Sequence, residues 1–235
     1  MKSQKHTSLK DIAQALGVSV PTVSRALKDS PDISRALCEK AKWMAREMNY
    51  RPNPFALSLR KNAPRIIGVV VPDIVTHFFA SILNGIENMA VKNGYFVIIT
   101  TSHESYEHEK RNVENLVNMR VEGIIACLSQ ETTDYTHFAE LKDINMPLIM
   151  FDRVCLTDQF SSVVADGEHS AQMATQHLLD NGCKRVAFIG GANHLDIVKR
   201  RKHGYLEALR NNKIPIEKEL VVCRKIDYEE GKIAA

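Results

Sequence analysis

No stretch of this 235-residue chain holds the ~20 consecutive apolar residues that a bilayer span requires. Met1 to Gln14 is polar and lacks the apolar core of a secretory leader. CxxC pairs are missing too: the five cysteines, Cys38, Cys127, Cys155, Cys183 and Cys223, are scattered and odd in number. Three of them sit in or beside apolar runs, so they read as reduced, buried thiols of a cytoplasmic protein rather than as a disulfide framework. There is no nucleophile elbow, P-loop or GxGxxG, and no acid–base pair stands out, so the residues offer an enzyme little support. His103 and His108 lie in a polar stretch without a carboxylate or cysteine constellation, so no metal or cofactor is expected.

What the chain does have is a charge asymmetry under a modest net of +3. Residues 1–62 carry twelve Lys/Arg against five Asp/Glu, a net of +7, which leaves −4 for the rest. A small basic head on a mildly acidic body fits a polyanion-binding module joined to a module with another task.

Within that head, Ser8 to Leu27 reads as two short helices with a tight turn. Leu9, Ile12, Ala13 and Leu16 share a face at helical spacing, and Ser8 with Asp11 forms a capping-box start. Gly17 follows where a helix stops on a residue that tolerates positive φ. Ser19 is placed to cap the second helix, and Pro21 falls in its first turn, where a missing N–H costs little. Val23 and Leu27 supply an inner face, which leaves Thr22, Ser24, Arg25 and Lys28 to point outward. Such a helix suits a DNA major groove; a plain helical hairpin in a core is the alternative.

Ser34 can cap a third helix running to about Asn49, with Leu37, Ala41, Met44, Ala45 and Met48 as its apolar face. That face closes a three-helix core. Pro52 and Pro54 then break helicity. Residues 53–60 form a helix-compatible piece that is too short to be stable alone, which suggests folding conditional on DNA.

The motifs Ser8-Leu9-Lys10-Asp11-Ile12-Ala13, Gly17-Val18-Ser19, Thr22-Val23-Ser24-Arg25 and Asn49-Tyr50-Arg51-Pro52-Asn53, with Ala56 and Leu59, resemble the lactose/galactose-repressor family of bacterial transcription regulators. The likeness continues into the body. It implies that the second helix reads the major groove and that paired hinge helices lever Leu59 into the minor groove, kinking the duplex. By position, Val20 and Pro21 begin the reading surface, followed by Thr22, Ser24 and Arg25, with Ser19 at the cap and Asn53 and Ala56 in the hinge. Val20 and Pro21 depart from the polar pair common in the family and suit thymine methyls. Arg25 suits guanine O6 and N7, with a phosphate contact as the alternative. Lys28 and Ser8 suit phosphates, which set register without reading sequence.

From Arg65 the pattern changes to alternating strands and helices. Strand-like runs are Ile66–Val71, Phe96–Ile99, Gly123–Leu128, Leu148–Phe151 and Val163–Ala165. Helix-patterned pieces lie around His77–Asn93 (inner face Phe78, Ile82, Ile86 and Met89), Glu107–Arg120 and Asp134–Ile144. A second set comprises helix Glu168–Asn181, strand Val186–Ile189, helix Lys199–Asn211 and strand Leu220–Cys223. The expected fold is an all-α helix-turn-helix head plus an α/β body of doubly wound parallel-sheet subdomains. The body resembles periplasmic sugar-binding proteins. The expected divisions are a head over 1–50, a hinge helix and linker over 51–64, an N-terminal α/β subdomain over 65–165 and a partial C-terminal one over 166–235.

Ligands of such sheets sit outside the carboxyl ends of the strands, here Pro72–Phe79, Ser102–Ser105, Asp152-Arg153, Asp166 and Gly190–Asn193. The family match singles out Phe78, Phe79, Asp152 and Arg201 as effector contacts. Aromatic faces with a carboxylate and a fork-shaped donor suit a sugar or sugar derivative, and a purine or an anionic ligand also fits. Phe78 and Phe79 can equally be helix core, and Asp152 can pair with Arg153. Gly190-Gly191 lacks P-loop spacing and reads as a turn. Family members usually continue well past the point matching Ala235, so the chain reads as C-terminally truncated. The functional expectation is a dimeric DNA-binding repressor that recognises a pseudo-palindromic operator and is controlled by a small molecule. It is neither an enzyme nor membrane-bound. The competing class is a sugar receptor of the periplasmic kind, against which the basic head and missing leader both count.

Overall fold

The computed structural model describes residues 7–50, 65–225 and 227–234. Its trace divides into two compact units, residues 1–63 and 64–235.

The first unit is built from α1 (Leu9–Leu16), α2 (Val20–Ala26) and α3 (Arg35–Glu47). Both halves of the α1 capping box are made, and Gly17 ends the helix at φ 65°, a conformation that costs a side chain dearly. Ser19 caps α2 through the Thr22 N–H. Ile12 and Val23 are fully buried where the helices meet, each side chain stabilising the fold by roughly 1.5–3 kcal/mol. Leu9, Leu16, Met44, Ala45 and Met48 pack around them. On α3, Cys38 and Ala41 take the deep places beside Ala26, while Leu37 of the expected face is only partly covered. The Thr7 hydroxyl donates to the Met48 carbonyl at 2.7 Å, tying the start of the head to the end of α3.

The second unit contains a five-stranded sheet of β1 (Ile66–Val71), β2 (Phe96–Thr101), β3 (Gly123–Ala126), β4 (Leu148–Phe151) and β5 (Ser161–Val163). All pairings are parallel, in the order β2-β1-β3-β4-β5. Helices α4 (His77–Lys92), α5 (Tyr106–Asn118) and α6 (Thr136–Asp143) connect them. Because the chain runs from β1 outward to β2 and then back past β1 to β3, right-handed crossovers place α4 and α5 on opposite faces. The two cores follow. Ile66 and Val70 meet Val113, Leu116, Phe138 and Leu141 on one face, and Val69 and Val71 meet Phe79 and Leu83 on the other.

This arrangement corrects half of the expected inner face of α4. Ile82 and Ile86 pack, partly buried, against the core of Val69, Val71 and Phe151 as expected, while the deepest places go to Phe79 and Leu83, with Ala90 also buried. Phe78 and Met89 are turned out.

A smaller parallel pair, β6 (Phe188–Gly190) and β7 (Val221–Cys223), is joined by α8 (Asp196–Asn211) and a 3-10 turn at Lys218–Leu220, with α7 (Gly167–Asp180) before it and α9 (Tyr228–Ala234) after. The strand expected at Val186–Ile189 starts two residues late, because the Val186 carbonyl accepts from the buried Tyr205 hydroxyl at 2.8 Å instead of joining a ladder. Gly204 lets α8 press against α7: a Cβ there would stand 2.0 Å from the Glu168 carbonyl oxygen. Of the cysteines, Cys38, Cys127 and Cys155 are buried, whereas Cys183 is exposed. Among the described residues no helix is long and apolar enough to cross a membrane.

Candidate functional site

In the head, α2 presents Val20 (37% exposed), Pro21 and Arg25 to solvent, and Lys28 is exposed in the turn just beyond it. Ser19 and Thr22 hydroxyls face one another at 2.7 Å at its N-terminus. Ser24 departs from the outward position expected of it. It is buried beside Val23 and Ala26, because a seven-residue helix wedged between α1 and α3 covers more than the Val23–Leu27 stripe. Ser8 is held by its own cap: its N–H and hydroxyl both donate to Asp11 Oδ2, at 2.8 and 2.7 Å.

Arg25 Nη1 donates to Asp32 Oδ2 at 2.6 Å, and the Ser30 hydroxyl donates to Asp32 Oδ1. The Ser30 bond first, and Arg25 with it, holds the Asp32 carboxyl below its ordinary pKa, with burial opposing them. Lys42 pairs with Asp29 at 2.6 Å. Asn53, Ala56 and Leu59, the expected hinge contacts, lie outside the described residues.

In the body, a cavity of about 430 Å³ opens beyond the carboxyl ends of β1, β4 and β6, lined by Phe78, Asp152, Arg153, Phe188 and Arg201 among others. Three of the four expected effector residues therefore meet. Phe79 does not: it lies 5% exposed beneath the sheet, its ring edge-on to Phe78 at 5.2 Å and to Phe151 at 6.4 Å. Its role in the geometry is to brace Phe78 from below.

Asp152 sits just past β4 at φ 56°, a left-handed conformation that aspartate tolerates better than most residues. Burial raises its carboxyl pKa, opposed by the Arg153 and Arg201 charges nearby. Arg201 projects from α8 with its stem against Gly167 at the start of α7, where a Cβ would come within 3.3 Å of Arg201 Cγ.

The wall behind the cavity was not legible as a site. Arg153 Nη1 donates to both oxygens of Glu104, at 2.9 and 2.7 Å, and to the Leu128 carbonyl. Glu104 also accepts from the Gln130 N–H at 2.7 Å. Three strand-end loops are thereby tied together.

Deeper in, Glu109 is fully buried and accepts from the Ser129 N–H (2.6 Å) and the Thr132 hydroxyl (2.7 Å), and His137 Nε2 lies 3.1 Å away. Sequence reasoning also missed Phe188 and Arg224, which line the cavity. The signal for Arg224 was available, since it directly follows a strand. His103 and His108 stack edge-on at 6.3 Å, and no group of three or more metal-ligating side chains occurs among the described residues.

Comparison with known proteins bears on both sites. Residues 8–53 match the family described as bacterial regulatory proteins, lacI family, and residues 65–235 match periplasmic binding proteins and sugar binding domain of LacI family. Catabolite control protein A of Priestia megaterium is 30% identical over 96% of this chain and 68% of its own length. The transcriptional repressor CytR of Escherichia coli K12 is 29% identical over 99% of this chain and 68% of its own. Among solved structures, the lac repressor dimer bound to operator and the anti-inducer ONPF superposes with a TM-score of 0.69 at 25% identity, over 94% of this chain and 66% of that one. The chain thus spans about two thirds of the length of these relatives. With the head and the body each matched in their proper order, the chain belongs to the LacI family of bacterial regulatory proteins.

Proposed function

We propose that this protein is a sequence-specific DNA-binding transcriptional regulator, acting as a repressor, whose operator affinity is set by a small molecule held in the body. The observation that carries this reading is the presence, in one chain, of a capped helix pair that exposes Val20, Pro21, Arg25 and Lys28 and a cavity that gathers Phe78, Asp152 and Arg201. Its action is binding, not catalysis, and its place is the cytoplasm, where the chromosome is.

Two heads of a homodimer take the two halves of a pseudo-palindrome. Lys28 and Ser8 hold phosphates, Arg25 reads guanine, and Val20 with Pro21 meets thymine methyls. The hinge segment carrying Asn53, Ala56 and Leu59 orders against the minor groove. The effector is a sugar or sugar derivative: its CH faces lie on Phe78, and its hydroxyls pair with Asp152 and Arg201. The effector must bind one arrangement of the body better than another, because equal affinity shifts nothing.

The test is fluorescence anisotropy with selected palindromes and random duplex across a salt series. Sequence-selective binding with a steep negative salt slope supports the regulator. The absence of binding at low salt would overturn it. Leu59→Ala is expected to weaken operator binding while leaving binding to random duplex nearly unchanged; equal losses on both count against the lever.

A further inference from the structure

Arg25 and Asp32 stand seven residues apart, one in the last turn of α2 and the other in the turn that leads to α3. Their contact is held from both sides. Asp32 is fastened by the Ser30 hydroxyl at its second oxygen, and the Ser30 N–H donates to the Arg25 carbonyl at 3.1 Å. The Arg25 backbone, the Ser30 side chain and the Asp32 carboxylate thus form a closed ring of contacts around one guanidinium. Both side chains of the pair are about half exposed, 53% and 46%, and exposed pairs add little to stability. Such a device has its consequence in where the guanidinium is held.

A guanidinium reads guanine with two coplanar N–H groups. With Nη1 engaged by Asp32, its plane is set and its remaining N–H groups stay available. A fork whose rotamer is already fixed loses less entropy on docking. Asp32 also places a negative charge on the loop adjoining the reading helix, and a polyanion must approach that charge whether or not a base contact compensates. Positioning strengthens the right sequence and so raises the ratio of specific to random binding, whereas the added charge weakens every sequence alike and leaves that ratio unchanged.

We infer that Asp32 is a specificity-determining positioning residue of the head, holding Arg25 for a single base contact. This rests on the DNA-reading role proposed for α2. Asp29 provides the internal control. It lies in the same turn and carries the same charge, but its partner is Lys42 of α3, not Arg25.

The full chain, Asp32→Asn and Asp29→Asn are each put through selection from a randomised duplex library. Anisotropy then compares the enriched and random duplexes at one salt concentration. The wild-type chain is expected to enrich a site with a fixed guanine. In Asp32→Asn, preference at that one base pair relaxes and the specific-to-random affinity ratio falls about tenfold, within the range a bidentate base contact controls. Asp29→Asn keeps both the preference and the ratio. An unchanged preference and ratio in Asp32→Asn overturns the inference, and so does an equal fall in the two variants, which would show that the effect does not depend on the contact with Arg25. Failure of the wild-type chain to enrich any site overturns the DNA-reading role itself, and is seen before any variant is considered.

Discussion

Two arginine–carboxylate contacts, one in each unit, use the same chemistry in opposite surroundings. In the head, Arg25 and Asp32 are both about half exposed. In the body, the Arg153 side chain is 10% exposed and Glu104 31%, and the pair also engages the Leu128 carbonyl and the Gln130 N–H. Water screens the first, so its strength is small and its orientation is what remains useful. The second is partly withdrawn from water and braces three loops, so the wall of the cavity depends on it. The head pair leaves its guanidinium partly open to solvent, whereas the body pair is spent on its neighbours.

This contrast can be broken from the body first. Glu109→Ala removes the acceptor of the Ser129 N–H, the Thr132 hydroxyl and His137, all inside the core. The expected loss is about 3–5 kcal/mol of body stability, read by denaturant unfolding monitored by circular dichroism. Trp43, the single tryptophan, lies in the head, so its fluorescence transition should not move. A shift of both transitions would mean that the units do not unfold separately.

Ser8→Ala sharpens the comparison from the other side. The α1 capping box is lost, and about 1 kcal/mol of head stability with it. The Trp43 transition should fall while the body transition stays.

Asp152→Asn should be smaller and opposite in sign. Burial raises this carboxyl pKa, so its ionisation opposes folding at pH above the raised value, and that cost disappears as the pH falls through it. The variant is therefore expected to be more stable than wild type at neutral pH, by less than about 1 kcal/mol at this half-open site, and to lose that advantage in acid. Thermal melts at the two pH values check this, and an advantage that persists in acid would contradict it. Ligand binding should suffer even as stability rises. The smallest effect is that of Asp32→Asn on the Trp43 melting curve, where no measurable change is expected; a clear loss would make the pair structural.

Legibility followed the distance over which each signal acts. Ser8, Asp11, Gly17 and Ser19 act within a turn of chain, and their helices begin and end where these residues place them. Ile66–Val71 also stood where its apolar run indicated. Phe78 and Phe79, one residue apart, could not be separated by periodicity, because either series makes a plausible helix face. Ser24 looked like a surface hydroxyl until α1 and α3 enclosed it. Glu109, in a helix rich in charge, gave no sign that it would be fully buried, since its partners lie 20 or more residues away. Val186 was lost to its strand by a bond to Tyr205, 19 residues on.

What the chain determined by itself is therefore the local and the compositional: a basic three-helix head, alternating strands and helices in the body, and the strand ends beyond which the cavity opens. Caps, turns and hydrophobic periods are properties of a few consecutive residues and need no distant partner. The tertiary structure alone decided the order β2-β1-β3-β4-β5, the choice of Phe78 over Phe79 for the cavity and the burial of Glu109. It also decided the engagement of Arg25 by Asp32. Each depends on which surfaces meet once the chain has closed on itself, and packing between distant segments, not local preference, selects among conformations that a short stretch finds nearly equal in energy.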